Sequence, residues 1–164
     1  MPSPRSCKTK ALEGRVAKPR RWEDLLKVAD ALRLTDALNV EKTMAAPVTA
    51  IVAADTRFFE RFDRTFPDRA DMFNNMFGSM GPEAQRATAW DNGILQMAYL
   101  IIAVRAVGLD AGPIAGFDRA VVDEVFFPDG RFKTIYLVNI GYGDDTNLFP
   151  RLPRFNVDEI AQFS

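Results

Sequence analysis

The stretch Pro82-Glu-Ala-Gln-Arg-Ala-Thr-Ala-Trp-Asp-Asn-Gly-Ile-Leu-Gln-Met-Ala-Tyr-Leu-Ile-Ile-Ala-Val-Arg-Ala-Val-Gly108 carries a proline at its start and a glycine at its end. Proline is tolerated in the first turn of a helix and glycine just past its last, so the pair brackets a helix over about 82–107. At 1.5 Å per residue such a helix is roughly 38 Å long, the spine of a small domain. Its first half mixes Gln85, Arg86, Thr88, Asp91 and Asn92 with apolar positions, whereas from Ile94 to Val107 only Gln96 and Arg105 interrupt an apolar surface. A helix that is apolar on nearly every side is expected to be buried on most faces.

Outward from this helix the chain alternates between helical and β signals. Downstream, Gly108-Leu-Asp-Ala-Gly-Pro-Ile-Ala-Gly-Phe117 reads as a short strand running into a loop with a proline and several glycines. Asp118 is a good N-cap for a helix reaching Phe126, Pro128-Asp-Gly130 is a turn, and Phe132 to Ile140 is a strongly β run. A loop at Gly141-Tyr-Gly-Asp-Asp then leads to an extended tail containing Phe149-Pro-Arg-Leu-Pro-Arg154.

Upstream, Pro47-Val-Thr-Ala-Ile-Val-Ala53 is a charge-free β-branched run that suits a buried strand. Residues 39–45 form a polar approach to it, and an amphipathic helix is expected over 22–38 from the spacing of Trp22, Leu25, Leu26, Ala29, Leu32 and Leu34. Between the first strand and the long helix, two helices are expected over 57–64, capped by Asp55 or Thr56, and over 68–77. They carry Phe58, Phe59, Phe62, Phe66, Phe73 and Phe77, which could line a ligand pocket or, the commoner use, cover a core.

Composition narrows the chemistry. A chain of 164 residues with 48% hydrophobic and 26% charged residues has the make-up of one water-soluble globular domain. The absence of histidine removes Ser-His-Asp triads, Cys-His pairs and imidazole zinc sites. The single cysteine, Cys7, can form neither an internal disulfide nor a CxxC pair. No apolar run exceeds that from Met97 to Val104, far below the roughly 20 residues that span a bilayer, and no apolar segment of a signal peptide follows the basic N-terminus. Membrane insertion is not expected, and the cytoplasm is the expected compartment.

Charge divides the chain. Residues 1–21 hold seven Lys or Arg against Glu13, a balance of +6, leaving −7 for the remainder of a chain whose net charge is −1. This reads as a basic, disordered arm (1–21) before a single domain (22–164). The arm lacks interleaved aromatics and any nucleic-acid-binding motif, so no nucleic-acid partner is expected.

Candidate sites are individually weak. The segment Gly112-Pro-Ile-Ala-Gly116 lacks the spacing of a dinucleotide fingerprint; it could let backbone approach a flat cofactor ring or be a plain turn. Asp144 and Asp145 have no further ligands at calcium-loop spacing, so no metal is expected. Arg151 and Arg154, three apart, could hold a phosphate or be solvated arginines. With no nucleophile paired to a base, any difficult chemistry belongs to a bound cofactor.

Five segments in order carry a resemblance: Asn39-Val-Glu-Lys-Thr-Met-Ala-Ala-Pro-Val-Thr-Ala-Ile-Val-Ala53, Asp55-Thr-Arg-Phe58, Leu95-Gln-Met-Ala-Tyr-Leu100, Gly108-Leu-Asp-Ala-Gly-Pro-Ile-Ala-Gly-Phe-Asp118, and Asn139-Ile-Gly-Tyr-Gly-Asp144 with Leu148-Phe-Pro-Arg151. Together they resemble the FMN-dependent nitroreductase family, most closely its malonic semialdehyde reductase branch, associated with uracil breakdown. The resemblance implies an α+β fold, a mostly antiparallel sheet flanked by helices, and a homodimer with FMN at the interface. It implies NADPH or NADH as reductant and a small aldehyde as acceptor, malonic semialdehyde being reduced to 3-hydroxypropanoate, while related enzymes reduce nitroaromatics or quinones. It places Lys42 beside flavin N1 and O2 with Asn39 nearby, the backbone of Pro113, Ile114, Ala115 and Gly116 against the isoalloxazine near N5, and Arg151 and Arg154 on the phosphate. Water or a tyrosine (Tyr99, Tyr136 or Tyr142) would supply the proton. The family's first helices, with an Arg-Ser-x-Arg-like phosphate contact, have no counterpart in residues 1–38, which reads as an alternative start or a disrupted frame. The rival reading is a cofactor-free family remnant that acts as a binding or structural protein.

Overall fold

The computed structural model describes residues 37–147 and 150–162. The basic arm and almost all of the helix expected over 22–38 therefore lie outside the described residues, as does the question of whether 1–38 is a replaced start.

The first described element corrects the sequence reading. Residues expected to be a polar approach are helix α1, Ala37–Ala45. Val40 packs on the core and Thr43, three residues on, is buried, so a short inward stripe is enough to seat the helix. Ala46, which precedes Pro47, cannot continue it comfortably because the proline ring disfavours helical backbone in the residue before it. Strand β1 follows as Val48–Asp55.

The helix expected over 57–64 is divided into a 3-10 turn, Phe58–Arg61, and a single helical turn, α2, Phe62–Thr65. The Asp55 carboxylate accepts from the Arg57 N–H at 3.0 Å and pairs with arginines, so no side chain caps this helix start. A second 3-10 turn, Pro67–Arg69, leads into α3, Ala70–Gly78. The six phenylalanines pack chiefly on one another, Phe58 meeting Phe77 edge-on at 5.0 Å, and Phe58 also abuts the core, so this module covers rather than lines a pocket.

The long helix α4, Pro82–Ala106, has the expected 25 residues. Beyond it come β2 (Asp110–Ile114), α5 (Arg119–Phe126), β3 (Phe132–Gly141), a 3-10 turn (Asp145–Asn147) and a last turn α6 (Val157–Ile160). Asp118 caps α5 as expected, its carboxylate accepting from the N–H groups of Ala120 and Val121.

The strands form an antiparallel sheet in the order β1-β3-β2. The central position of β3 is why its sequence is so apolar. The register slips between Val52, opposite Tyr136, and Ala53, opposite Thr134, so Ile135 is the extra residue of a β-bulge. Its consequence is a change of face: Ile135 clusters with Ala54 and Ala89 on the α4 side, and its sequence neighbour Tyr136 packs against the same cluster. Leu137 turns to the other side and packs with Ile114, Phe117 and Val122, with Val40 of α1 against them. Helices α1 and α5 thus cover one face and α4 the other. Where β2 ends, α5 takes over along β3: Asp123 Oδ1 accepts from the Thr134 N–H at 2.8 Å, and Arg119 Nε donates to the Ile135 carbonyl at 3.2 Å.

The second half of α4 departs from expectation. Leu95, Tyr99 and Ile102, which share one face at helical spacing, are 58%, 67% and 65% exposed. The sheet covers one side of this helix and leaves the opposite apolar side open, since one three-stranded sheet is narrower than an all-round apolar helix requires. Among the described residues, no helix is long and apolar enough to cross a membrane.

An ion-pair cluster fastens β1 to the start of β3. Arg131 grips Asp55 with two hydrogen bonds of 2.9 and 3.0 Å and donates to Glu60 at 3.0 Å and to the Arg57 carbonyl at 3.1 Å. Burial of the Asp55 carboxyl opposes ionisation, but the hydrogen bonds from Arg131, the Arg57 N–H and Arg61, together with the Arg131 charge, outweigh it and hold the pKa below the ordinary carboxylate value. The stabilisation is therefore complete above the unfolded-state value of about 3.9 and disappears as pH falls through the lower folded value. Asp55→Asn should melt below the parent at pH 6, with the gap closing under acid conditions; a gap that stays constant down to pH 2 would contradict this.

Candidate flavin-ring site

The site is assembled by α1 and the end of β2. Strand β2 runs through Gly112, Pro113 and Ile114, so the expected loop is shorter than its sequence suggests and consists of Ala115 and Gly116. Pro113 is accommodated because β2 is an edge strand and a missing N–H can face away from β3. Ile114 is buried in the core, so only its backbone can face a ligand; Pro113, Ala115 and Gly116 are exposed.

Asn39 and Gly116, far apart in sequence, come together here. A Cβ added at Gly116 would lie 3.6 Å from Asn39 Nδ2, an ordinary contact distance that makes the two residues direct neighbours. Lys42 stands on the same helix three residues further on. It is half-buried and has neither an ion pair nor a side-chain hydrogen bond among the described residues. A cation partly withdrawn from water without an acidic partner favours an anionic ligand beside it.

Beneath this helix runs a polar chain that sequence reasoning missed. Asn139 is 3% exposed, accepts from Thr49 Oγ1 at 2.8 Å and donates to Thr43 Oγ1 at 3.1 Å. Thr43 follows Asn39 by four residues and so shares its helix face. The available signal was a lone asparagine within the apolar run Tyr136-Leu-Val-Asn-Ile140.

Arg151 and Arg154 are not drawn into this group. Both are exposed in the extended segment after β3, Arg154 donates to the carbonyls of Leu152 and Pro153, and no hydrogen bond or ion pair joins either to α1 or to residues 113–116. The tyrosines are dispersed: Tyr136 packs on the α4 side, Tyr99 lies on the open face of α4, and Tyr142 is exposed just after β3. Asp110 holds the loop beside Tyr142 by accepting from the Gly143 N–H at 2.6 Å and pairing with Arg105. A Cβ at Gly143 would come within 2.7 Å of that carboxylate, so any larger residue would push the Asp110 side chain out of its place. No group of metal-ligating side chains occurs among the described residues.

Comparison with known proteins agrees with this architecture. No family model matches the chain. Over 129 residues it is 51% identical to a protein of Stenotrophomonas maltophilia strain K279a provisionally named an NADH dehydrogenase/NAD(P)H nitroreductase, the match covering 77% of this chain and 63% of the relative. A similarly named protein of Xanthomonas oryzae pv. oryzae is 52% identical over 128 residues, covering 76% of this chain and 62% of its own. The chain thus spans a little under two thirds of the length of these curated relatives. Among solved structures, a nitroreductase family protein from Streptococcus pneumoniae superposes with a TM-score of 0.73 at 20% identity, covering 99% of this chain and 96% of that one. A provisionally named nitroreductase from Exiguobacterium sibiricum, solved in complex with FMN, gives 0.69 at 15% identity, covering 98% and 93%. The arrangement of α4 against an antiparallel sheet is the nitroreductase fold. By that fold and by sequence, the matched part of this chain is similar to nitroreductases.

Proposed function

We propose that this chain is an FMN-dependent oxidoreductase of the cytoplasm that uses NADH or NADPH to reduce a small aldehyde, malonic semialdehyde, to 3-hydroxypropanoate. The observation that carries the flavin part is the half-buried Lys42, unpaired among the described residues and one helical turn from Asn39, whose amide borders Gly116. These residues fit a flat, electron-accepting ring: an edge strand offers exposed backbone, Gly116 leaves room, and Lys42 offers positive charge. FMN, when bound, supplies the two-electron redox chemistry. The protein's part is to hold it. Lys42 would set its positive charge beside the pyrimidine side of the ring, Asn39 would hydrogen-bond beside it, and the backbone of Pro113–Gly116 would pack against the ring.

Arg151 and Arg154 hold the phosphate in this reading, carried there by the extended tail of this protomer or of a second copy. A homodimer is supported by the open Leu95, Tyr99 and Ile102 face of α4, which a second copy would cover. The names of the relatives also favour nitroaromatic reduction, which the same site could perform.

Titration of the purified chain with FMN, followed by visible absorbance, tests the reading. Saturable uptake is expected, with Lys42→Met weakening it about tenfold, equivalent to roughly 1.4 kcal/mol. A chain that takes up no FMN ends the flavin reading. For the loaded chain, NADPH oxidation with malonic semialdehyde should exceed that with a nitroaromatic; the reverse order assigns it to nitroreduction.

A further inference from the structure

A cavity of about 260 Å³ opens between the N-terminal half of α4, the end of β1 and the start of α5, lined by Ala54, Arg86, Trp90, Arg119, Asp123 and Lys133 among others. It belongs to the opposite end of β3 from Asn139. From Thr134 to Asn139 the strand advances about 17 Å at roughly 3.4 Å per residue. The flavin reading uses none of these residues.

Three cations and one carboxylate share this space, and the carboxylate is already engaged. Asp123 Oδ1 accepts from the N–H and the hydroxyl of Thr134 at 2.8 and 2.7 Å, and Oδ2 pairs with Lys133 at 3.4 Å. Surface arginines are usually solvated and mobile; Arg119 is not. Its guanidinium lies 5.8 Å from the centre of the Trp90 ring and 5.2 Å from that of Phe117, and its Nε is fixed on the Ile135 carbonyl. The terminal nitrogens have no partner among the described residues, so they are oriented and still free to donate. Arg86 has no ion pair or hydrogen bond there either. Mutual repulsion of the three cations, relieved only in part by Asp123, is minimised by a bound dianion. Beside them, Trp90 and Ala54 form an apolar wall suited to a flat group.

We propose that this cavity binds a phosphate monoester carried on a planar ring, with Arg119 and Arg86 donating to the phosphate, Lys133 adding charge, and the ring set against Trp90. The proposal does not depend on FMN binding. Trp90 is the natural reporter, because the chain's only other tryptophan is Trp22. In a Trp22→Phe chain, phenyl phosphate should produce a saturable change in Trp90 fluorescence, inorganic phosphate should bind more weakly, and phenol should give no saturable response. Arg86→Ala and Lys133→Gln should each weaken phenyl phosphate about tenfold, with Arg86→Lys retaining most of the affinity, and thermal melts should show each variant folded. The site is overturned by an absent response, by phenol acting as well as phenyl phosphate, or by affinity unchanged in Arg86→Ala; equal affinity for inorganic phosphate overturns the ring-bearing ligand.

Discussion

Asn139→Leu should lower the free energy of unfolding by about 3 kcal/mol, read as a lower urea midpoint with an unchanged m-value. Leucine keeps asparagine's branched heavy-atom skeleton but has bulkier methyls, so some overpacking is added to the larger, polar part of the cost. That part comes from the two hydroxyls left behind: buried Thr43 loses the donor at 3.1 Å, where water cannot easily replace it, and half-buried Thr49 loses the acceptor at 2.8 Å. Each buried group stripped of its partner costs about 1–3 kcal/mol. Adding Thr43→Val to Asn139→Leu removes one orphaned group, so the double variant should regain part of the loss, a coupling that a simple packing defect would not show. Because Thr43 shares a helix face with Asn39, FMN affinity should fall in Asn139→Leu as α1 loosens. An unchanged midpoint would mean that α1 is held by Val40 and its neighbours alone.

The other large effect is expected at Leu137, which is fully buried. Leu137→Ala should cost about 3–4 kcal/mol, combining lost transfer energy with the cavity left among Ile114, Phe117 and Val122. These neighbours come from β2, the turn before α5, and α5 itself, so the space cannot close by moving one side chain. Ile135→Val removes a single methylene on the opposite face and should cost about 1 kcal/mol. Chemical denaturation of the pair should give that order, and the two losses should be close to additive because the sheet separates the clusters.

Much of this fold could be read directly from local pattern. Pro82 and Gly108 bracket α4 correctly, Asp118 announces α5, and the β-branched runs locate β1 and β3 to within a residue or two. What escaped depends on neighbours distant in sequence. Residues 39–45 look like a connector because a short helix needs only Val40 and Thr43 turned inward, too few positions for a periodic signal. The bulge at Ile135 is invisible because the surrounding run is apolar on both faces. The open side of α4 has the same origin: apolarity says that a surface is to be covered, without saying that this sheet covers it. At the candidate site, Lys42 and Asn39 follow from family resemblance alone, whereas the glycines of Gly112–Gly116 mark that segment as either a ring contact or a plain turn, and the Asn39–Gly116 neighbourhood exists only once α1 has docked. The chain from Thr49 through Asn139 to Thr43 depends on strand pairing and helix placement together. Arg151 and Arg154 stand apart from the group because their segment makes no strand or helix that would return them to it.

The hydrogen bonds from α5 to Thr134 and Ile135 have a consequence for the behaviour of the chain in concentrated solution. A strand edge with unsatisfied main-chain groups is adhesive and can recruit the same edge of another molecule. On β3, past the end of β2, α5 occupies two of those groups with side chains, and the bulge bends the stretch they serve. Detachment of α5 would release both at once and expose the apolar side of β3 next to them. The helix therefore acts as a guard against self-association of the sheet.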